Sequence, residues 1–196
     1  MLHAPRDLRL EQAPIPVAGP DDVLVRITTN GLCGSDIHFY KEGKLGPFVV
    51  DRPYIPGHEC AGVVVQAAAS GGPAVGTRVA IEPGIPCRRC ALCKSGRYNL
   101  CADVVFMSAP PVNGTFAEYA AVPADFAHVL PDSVDDESGA FVEPLAVGVQ
   151  AVTRSGLTAA STVAVIGAGP IGLVTMLVAK AYGAAKVFLI DGLPTR

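Results

Sequence analysis

Four cysteines in one short stretch constrain the fold of this sequence more than any other feature. They follow the spacing C-x2-C-x2-C-x7-C, at Cys87, Cys90, Cys93 and Cys101. This spacing lets one loop surround a tetrahedral ion with four thiolates, which is typical of a closed structural zinc site. Four cysteines without metal are one alternative, and an iron–sulfur cluster is another. The hydrophilic loop and the lack of a proline after the last cysteine favour zinc over the cluster.

Composition indicates the class of protein and its surroundings. Half of the residues are apolar and 17% are charged, so the chain can bury a core and is not expected to be disordered. The net charge of −3, without a long run of Lys and Arg, argues against nucleic-acid binding. Residues 1–12 show no signal-peptide pattern. We therefore expect a cytoplasmic protein, in which cysteines are metal ligands or buried thiols rather than disulfides.

The first two-thirds of the chain are predicted to form a barrel or sandwich of short β-strands. Short apolar segments alternate with turns rich in Gly, Pro and Asp, which is typical of all-β folds. The predicted strands are Val23–Thr28, Ala61–Ala67, Arg78–Ile81 and Phe116–Val122. This first domain is expected to cover residues 1–140.

The pattern becomes helical after this β-rich part. Asp135, Asp136 and Glu137 precede an apolar stretch and predict a helix start, because acidic side chains are favoured at the positive end of the helix dipole. We expect a helix over Ala140–Ala151, broken near Glu143-Pro144.

A strand–helix–strand unit is predicted at the end of the chain, over Thr162–Ile166, Pro170–Ala181 and Lys186–Ile190. The apolar run Val163–Ala179 could instead be a short membrane helix. Its three glycines and one proline fit a strand, turn and helix better, so no membrane association is expected. A doubly wound nucleotide domain usually has about six parallel strands. We therefore expect residues 141–196 to be a truncated part of such a domain.

The turn of this unit carries a dinucleotide-binding pattern. Gly167, Gly169 and Gly172, with Ile171 between the last two, form GAGPIG between strand and helix. Such glycines allow a pyrophosphate to approach the backbone N–H groups of the helix start. Asp191 follows the next strand, where a carboxylate accepts the ribose 2′-hydroxyl and repels a 2′-phosphate. The pattern predicts NAD rather than NADP, although Asp191 could be an ordinary turn residue.

A second metal site is suggested by two further residues. Cys33 lies in GLCGSDIH and His58 in GHE, and a catalytic zinc needs three protein ligands and one exchangeable position. Taken alone, Cys33 could be a core thiol and His58 a satisfied core group. Ser35 could be a loop hydroxyl that satisfies a turn.

Taken together, these segments resemble the medium-chain dehydrogenase/reductase superfamily, and within it the sorbitol and xylitol dehydrogenases. The resemblance covers nearly the whole chain, in a specific order. The matching segments are CGSDIHFY (33–40), GPFVVDRPYIPGHECAG (46–62), RVAIEPGIPCRRCALCKSGRYNLC (78–101), SAPPVNGTFAEY (108–119), EPLAVG (143–148) and GAGPIG (167–172). The family implies a β-rich GroES-like barrel domain followed by an α/β Rossmann domain.

The resemblance implies a catalytic zinc in addition to the structural one. Cys33 and His58 match its ligands, and Glu59 matches the adjacent acid that ligates in polyol dehydrogenases. Glu143 matches a glutamate that faces the metal and holds its water or ligates directly. Simple alcohol dehydrogenases have cysteine at that position, so EPLAVG favours the polyol branch. How Glu59 and Glu143 share the metal stays open.

The resemblance also implies roles around the metal. Ser35 matches the hydroxyl that accepts the substrate proton, and His38 matches an outer relay histidine linked through the cofactor ribose. Phe39 and Phe106 match substrate-pocket aromatics, with core packing as the alternative. Arg196 matches a residue that packs on the adenine side of NAD.

The expected function is NAD-dependent oxidation of a secondary alcohol in a small polyol to a ketose. One alternative is another zinc alcohol dehydrogenase, of the butanediol or threonine type. A second alternative is a zinc-binding interaction module without catalysis. We expect this chain alone to be inactive, because the nicotinamide half of the cofactor site would come from absent strands. The family resemblance implies a homo-oligomer, either a tetramer or a dimer.

Overall fold

Two units make up the computed structural model, which describes residues 1–195. The first is Met1–Phe141 and the second begins at Val142. The strands of the first unit are β1 (Leu2–Ala4), β2 (Asp7–Leu8), β3 (Asp22–Asn30), β4 (Lys44–Leu45), β5 (Phe48–Val49), β6 (Cys60–Gln66), β7 (Arg78–Ile81), β8 (Gly84–Ile85), β9 (Val105–Phe106), β10 (Tyr119–Pro123) and β11 (Ala127–Val129). Its helices are α1 (Gly34–Glu42), α2 (Ala91–Lys94) and α3 (Asp136–Ala140).

The centre of the first unit is a five-stranded antiparallel sheet in the order β10-β3-β6-β7-β11. Alternate apolar side chains of these strands point to one face, as the period of two in a strand requires. Val23, Val25, Val64, Val79 and Val122 are almost completely buried there and form the main core. The expected β-rich domain is therefore confirmed.

One strand begins later in the chain than the sequence predicts. Phe116–Val122 was predicted as a strand, but β10 begins at Tyr119. Phe116 lies in an irregular bend, where its ring packs against Gly57. Gly57 has a φ of +91°, and a Cβ at this position would collide with that ring. The ring of Phe116 therefore fills the space beside Gly57, and Phe116 does not take part in the strand pairing of β10.

The position predicted for the helix break is also wrong. The break lies at Phe141, between α3 and α4 (Val142–Ser155), not near Glu143-Pro144. Pro144 lies in the first turn of α4, where a helix needs no backbone N–H donor. The start of α3 is capped by Asp135, whose side chain accepts a hydrogen bond of 2.7 Å from the backbone N–H of Ser138.

The second unit contains α4, β12 (Thr162–Ile166), α5 (Pro170–Ala181) and β13 (Lys186–Ile190), with the predicted bounds for the last three. β12 and β13 pair in parallel without a register shift. Val152, Val178 and Ala179 form the core between α4 and α5. Within residues 1–195, no helix has the length and apolarity needed to cross a membrane.

Candidate functional site

The four clustered cysteines converge in the structure. Cys90 lies directly before α2 and its sulfur accepts the backbone N–H of Cys93, so this helix start bends the loop around the thiols. The sulfur–sulfur distances are 3.9 Å for Cys87–Cys93, 3.4 Å for Cys90–Cys93 and 4.0 Å for Cys90–Cys101. Four sulfurs that each lie about 2.3 Å from one ion stand about 3.8 Å apart. The loop therefore fits a tetrahedral zinc.

The surroundings of these thiols give them different acidities. Backbone N–H groups of Arg89 and Cys90 lower the pKa of Cys87 to about 6. Burial, together with the neighbouring thiols, raises the pKa of Cys93 to about 12. A bound zinc ion takes thiolates, so it would have to displace the proton from Cys93.

One arginine attaches this cysteine loop to the barrel. The guanidinium of Arg88 makes a paired contact with the Asp125 carboxylate at 2.6 and 2.8 Å. It also stacks over the ring of Phe126, at 5.2 Å from the ring centre. Because the loop has no buried residue in α2, these contacts fix its position on the first unit.

A second group of ligand atoms lies at one end of the central sheet. Cys33 lies directly before α1, and His58 and Glu59 directly precede β6; their ligand atoms lie within 4.8 Å of one another. The pairing of β3 with β6 brings the two segments together, and Gly31 donates to the Glu59 carbonyl at 2.6 Å. Gly31 also makes room for Glu59, because a Cβ there would collide with its carboxylate.

This second group is largely shielded from water. His58 and Glu59 are 6% and 9% exposed, and Cys33 is half-buried. Burial raises the pKa of the Cys33 thiol, and a hydrogen bond with Ser35 partly offsets this effect. Buried polar groups of this kind need partners, and one thiol, one imidazole and one carboxylate are the ligands that zinc takes in catalytic sites.

The carboxylate of Asp36 joins the two ligand-bearing segments. One oxygen accepts the backbone N–H of Cys33 at 3.1 Å, which caps α1. The other accepts the backbone N–H of Gly57 and the hydroxyl of Ser108, each at 3.1 Å. That oxygen lies 4.0 Å from Nδ1 of His58, a buried atom without a hydrogen-bond partner within residues 1–195. Nδ1 therefore faces a carboxylate at a distance beyond the range of a hydrogen bond.

Sequence reasoning missed Asp36 as part of the site. The available signal was its position three residues after Cys33, which is the capping-box position of a helix. The structure shows this box.

A cleft of about 150 Å³ lies beside this group. Among the residues predicted for the site, Ser35, His58, Phe39 and Phe106 line it, and His58 meets Phe106 edge-on with ring centres 5.4 Å apart. Phe39 is almost fully buried and packs on Tyr54, so it forms the floor of the cleft. Leu45, Phe48, Ser108 and Ala109 complete the lining. His38 is exposed on α1.

The glycine-rich turn of the second unit opens α5. Gly167 has a φ of +102°, which favours glycine, and Gly169 is the residue before the helix. A Cβ on Gly172 would collide with the carbonyl oxygen of Gly167, so only glycine allows this close packing. Ile171 is exposed in the first turn of α5.

Asp191 lies beside this turn. One of its carboxylate oxygens accepts the backbone N–H of Ala168 at 2.7 Å, and the other accepts that of Leu193 at 2.8 Å. The acid is thus held next to the glycines, as a ribose-binding residue would be. Glu143 is the second residue of α4. Arg196 lies outside the described residues.

Comparison with known proteins identifies the family of the chain. The model of the family "Alcohol dehydrogenase GroES-like domain" matches residues 19–132. The chain is 44% identical to sorbitol dehydrogenase of Bacillus subtilis (strain 168), over 100% of this chain and 56% of that protein. It is 47% identical to D-xylulose reductase A of Aspergillus niger, over 94% of this chain and 52% of that protein.

A solved structure agrees in fold. A zinc-binding dehydrogenase of Sinorhizobium meliloti 1021, bound to NADP, superposes with a TM-score of 0.88 at 38% identity, over 99% of this chain and 56% of that one. The chain spans about half the length of the curated relatives it matches. It belongs to the alcohol dehydrogenase GroES-like family, in the branch of the zinc-dependent medium-chain dehydrogenase/reductase superfamily that contains sorbitol dehydrogenase and D-xylulose reductase.

Proposed function

We propose that this chain supplies the catalytic metal site and the first part of the cofactor site of a zinc-dependent, NAD-linked polyol dehydrogenase. The observation that carries the proposal is the group formed by Cys33, His58 and Glu59, whose ligand atoms lie within 4.8 Å of one another beside a cleft. The names of the relatives support a polyol substrate, because one is a sorbitol dehydrogenase and the other a D-xylulose reductase.

The residues fit two zinc ions with different tasks. Cys87, Cys90, Cys93 and Cys101 would hold a structural ion with no open position. Cys33 and His58 would hold the catalytic ion, together with Glu59 or Glu143. When bound, that ion would act as a Lewis acid that lowers the pKa of the substrate alcohol.

Ser35 is the group that we assign to the proton of the alcohol. It lies in the first turn of α1 and lines the same cleft as His58, so its hydroxyl can accept that proton. His38, one turn further along α1 and exposed, would pass the proton on towards solvent. Phe106 packs edge-on against His58 and would position the substrate carbon and exclude water.

We assign NAD to the glycine-rich turn. When bound, the nicotinamide of NAD would accept a hydride from the substrate carbon and so oxidise the alcohol. The backbone N–H groups at the start of α5 would bind the pyrophosphate, and Asp191 would accept the ribose hydroxyl. The Sinorhizobium meliloti relative was solved with NADP. For this chain we assign NAD because the carboxylate of Asp191 would repel the 2′-phosphate of NADP.

Replacing Asp191 is expected to change the cofactor preference of the whole protein. In Asp191→Ala, kcat/KM for NAD should fall about tenfold to a hundredfold, because one hydrogen bond to a charged group is lost. The kcat/KM for NADP should fall less or rise, because the charge that repels its 2′-phosphate is gone. Steady-state rates with both cofactors check this. Asp191→Asn is the matched variant, since it removes the charge but keeps an oxygen acceptor. An unchanged NAD-to-NADP ratio in both variants would contradict the assignment.

A substrate panel tests the proposal itself. The whole protein, loaded with zinc, is assayed with sorbitol, xylitol, butanediol and threonine in the presence of NAD. We expect ketose formation from sorbitol or xylitol. Activity confined to butanediol or threonine would replace the polyol substrate with the alternative class. No turnover on any alcohol would favour a zinc-binding module without catalysis.

The isolated chain of 196 residues is expected to show no turnover in this panel. We further propose that the whole protein is a cytoplasmic homo-oligomer.

A further inference from the structure

One buried hydroxyl connects Asp36 to the backbone that carries His58. Ser108 is 3% exposed, and its Oγ donates to Asp36 Oδ1 at 3.1 Å. The same Oγ accepts the backbone N–H of Gly57 at 3.0 Å. Gly57 directly precedes His58, and Asp36 Oδ1 lies 4.0 Å from Nδ1 of that histidine. The hydroxyl therefore links the carboxylate that faces the imidazole to the chain segment that bears it.

The backbone of Ser108 is also unusual. Its φ is +69°, in the left-handed region that residues other than glycine seldom adopt. Glycine could adopt this conformation without strain, but it would leave the Asp36 oxygen and the Gly57 N–H without the hydroxyl. Strained backbone held by buried hydrogen bonds often marks a functional site.

We propose that Ser108 is a positioning residue for His58, acting through Asp36. Its hydroxyl holds Oδ1 of Asp36 at 4.0 Å from Nδ1 of His58, where the negative charge would favour a proton on Nδ1 and leave Nε2 for the metal. A neutral imidazole carries one N–H, so the partner of one ring nitrogen decides which nitrogen is left for the ion. Partners of this kind fix the ring orientation of a metal-bound histidine. The proposal rests on the catalytic zinc site proposed above.

Tyr54 offers a matched control in the same region. Its hydroxyl is buried and has no hydrogen-bond partner within residues 1–195. Burial, together with the charge of Asp36, raises the pKa of Tyr54, so this hydroxyl senses the same carboxylate. Ser108 and Tyr54 thus differ in one respect that matters here: only the hydroxyl of Ser108 is hydrogen-bonded to Asp36.

The test measures metal affinity in the whole protein rather than turnover. Zinc is withdrawn by a competing chelator from the wild type, Ser108→Ala and Tyr54→Phe. In Ser108→Ala, the affinity for the zinc held by Cys33 and His58 should fall about tenfold to a hundredfold, while the affinity for the four-cysteine zinc is unaffected. Tyr54→Phe should stay within about twofold of the wild type for both ions, because it removes no bond to Asp36. Cobalt bound in the Cys33 site should show shifted absorption bands in Ser108→Ala only.

Three outcomes would overturn the proposal. If Ser108→Ala keeps the wild-type affinity and cobalt spectrum, Ser108 does not position His58, although the zinc site itself stands. If Tyr54→Phe weakens zinc equally, the effect does not come from the bond to Asp36. If the wild type binds only the four-cysteine zinc, the proposed function fails as well. Should Ser108→Ala not fold, Ser108→Gly removes the same hydroxyl, tolerates the positive φ and is judged by the same affinities.

Discussion

Replacing His58 by alanine is expected to remove the proposed catalytic zinc from the whole protein and to lower its proposed alcohol dehydrogenase turnover about a thousandfold or more. His58 is one of three side chains whose possible ligand atoms lie within 4.8 Å of one another. The site is buried, so a water molecule would not replace the imidazole without loss of metal affinity. Without the ion, the substrate alcohol keeps its ordinary pKa and Ser35 has no acidic proton to accept. Steady-state turnover and zinc content check the result together.

His128→Ala provides the matched control for this substitution. His128 is exposed and contacts Glu82 at 3.0 Å, and it belongs to neither of the two groups of possible metal ligands found within residues 1–195. We expect its zinc content and turnover to equal those of the wild type. A His58→Ala variant that keeps two zinc ions and its activity would remove His58 from the ligand set.

Replacing Cys93 by serine is expected to destabilise the first unit strongly. Its sulfur lies 3.4 Å from that of Cys90 and 3.9 Å from that of Cys87, so it is central to the thiol cluster. A structural zinc contributes folding free energy directly, and its loss should cost at least about 3 kcal/mol. For a protein of this size, the Tm should fall by about 10 °C. Thermal unfolding followed by circular dichroism, with zinc analysis, measures both effects.

The control for the cysteine loop is Ser95→Ala. The hydroxyl of Ser95 donates to the carbonyl of Leu92 at 3.0 Å on the exposed side of the same loop. Its loss should change the free energy of unfolding by no more than about 0.5 kcal/mol. If Cys93→Ser melts at the wild-type temperature and keeps its zinc, the cluster is not a structural metal site.

Elements with a strong local pattern were predictable from the sequence. The parallel strands Thr162–Ile166 and Lys186–Ile190 and the helix between them have the predicted bounds, because apolar runs and glycines mark both strands and turns. The cysteine cluster was equally predictable, since its four thiols lie close together in the sequence. The GroES-like assignment depended on the family resemblance, because periodicity alone distinguished only a barrel or sandwich.

The remaining features depend on contacts between distant segments. Ser108 lies 72 residues after Asp36, and only the folded backbone shows that the two are hydrogen-bonded. Phenylalanine is common in strands, yet the ring of Phe116 packs against Gly57 outside the sheet. The break at Phe141 was misplaced because Pro144 signals a helix interruption, whereas a proline in the first helical turn is well tolerated.

The zinc content of the purified whole protein tests the central claim most directly. Elemental analysis of the wild type should find two zinc ions per chain. Cys33→Ser should retain one zinc, bound by the cysteine loop, whereas Cys93→Ser should lose the zinc of the cysteine loop. One zinc per chain in the wild type, unchanged in Cys33→Ser, would contradict the account and leave the protein with a structural ion alone.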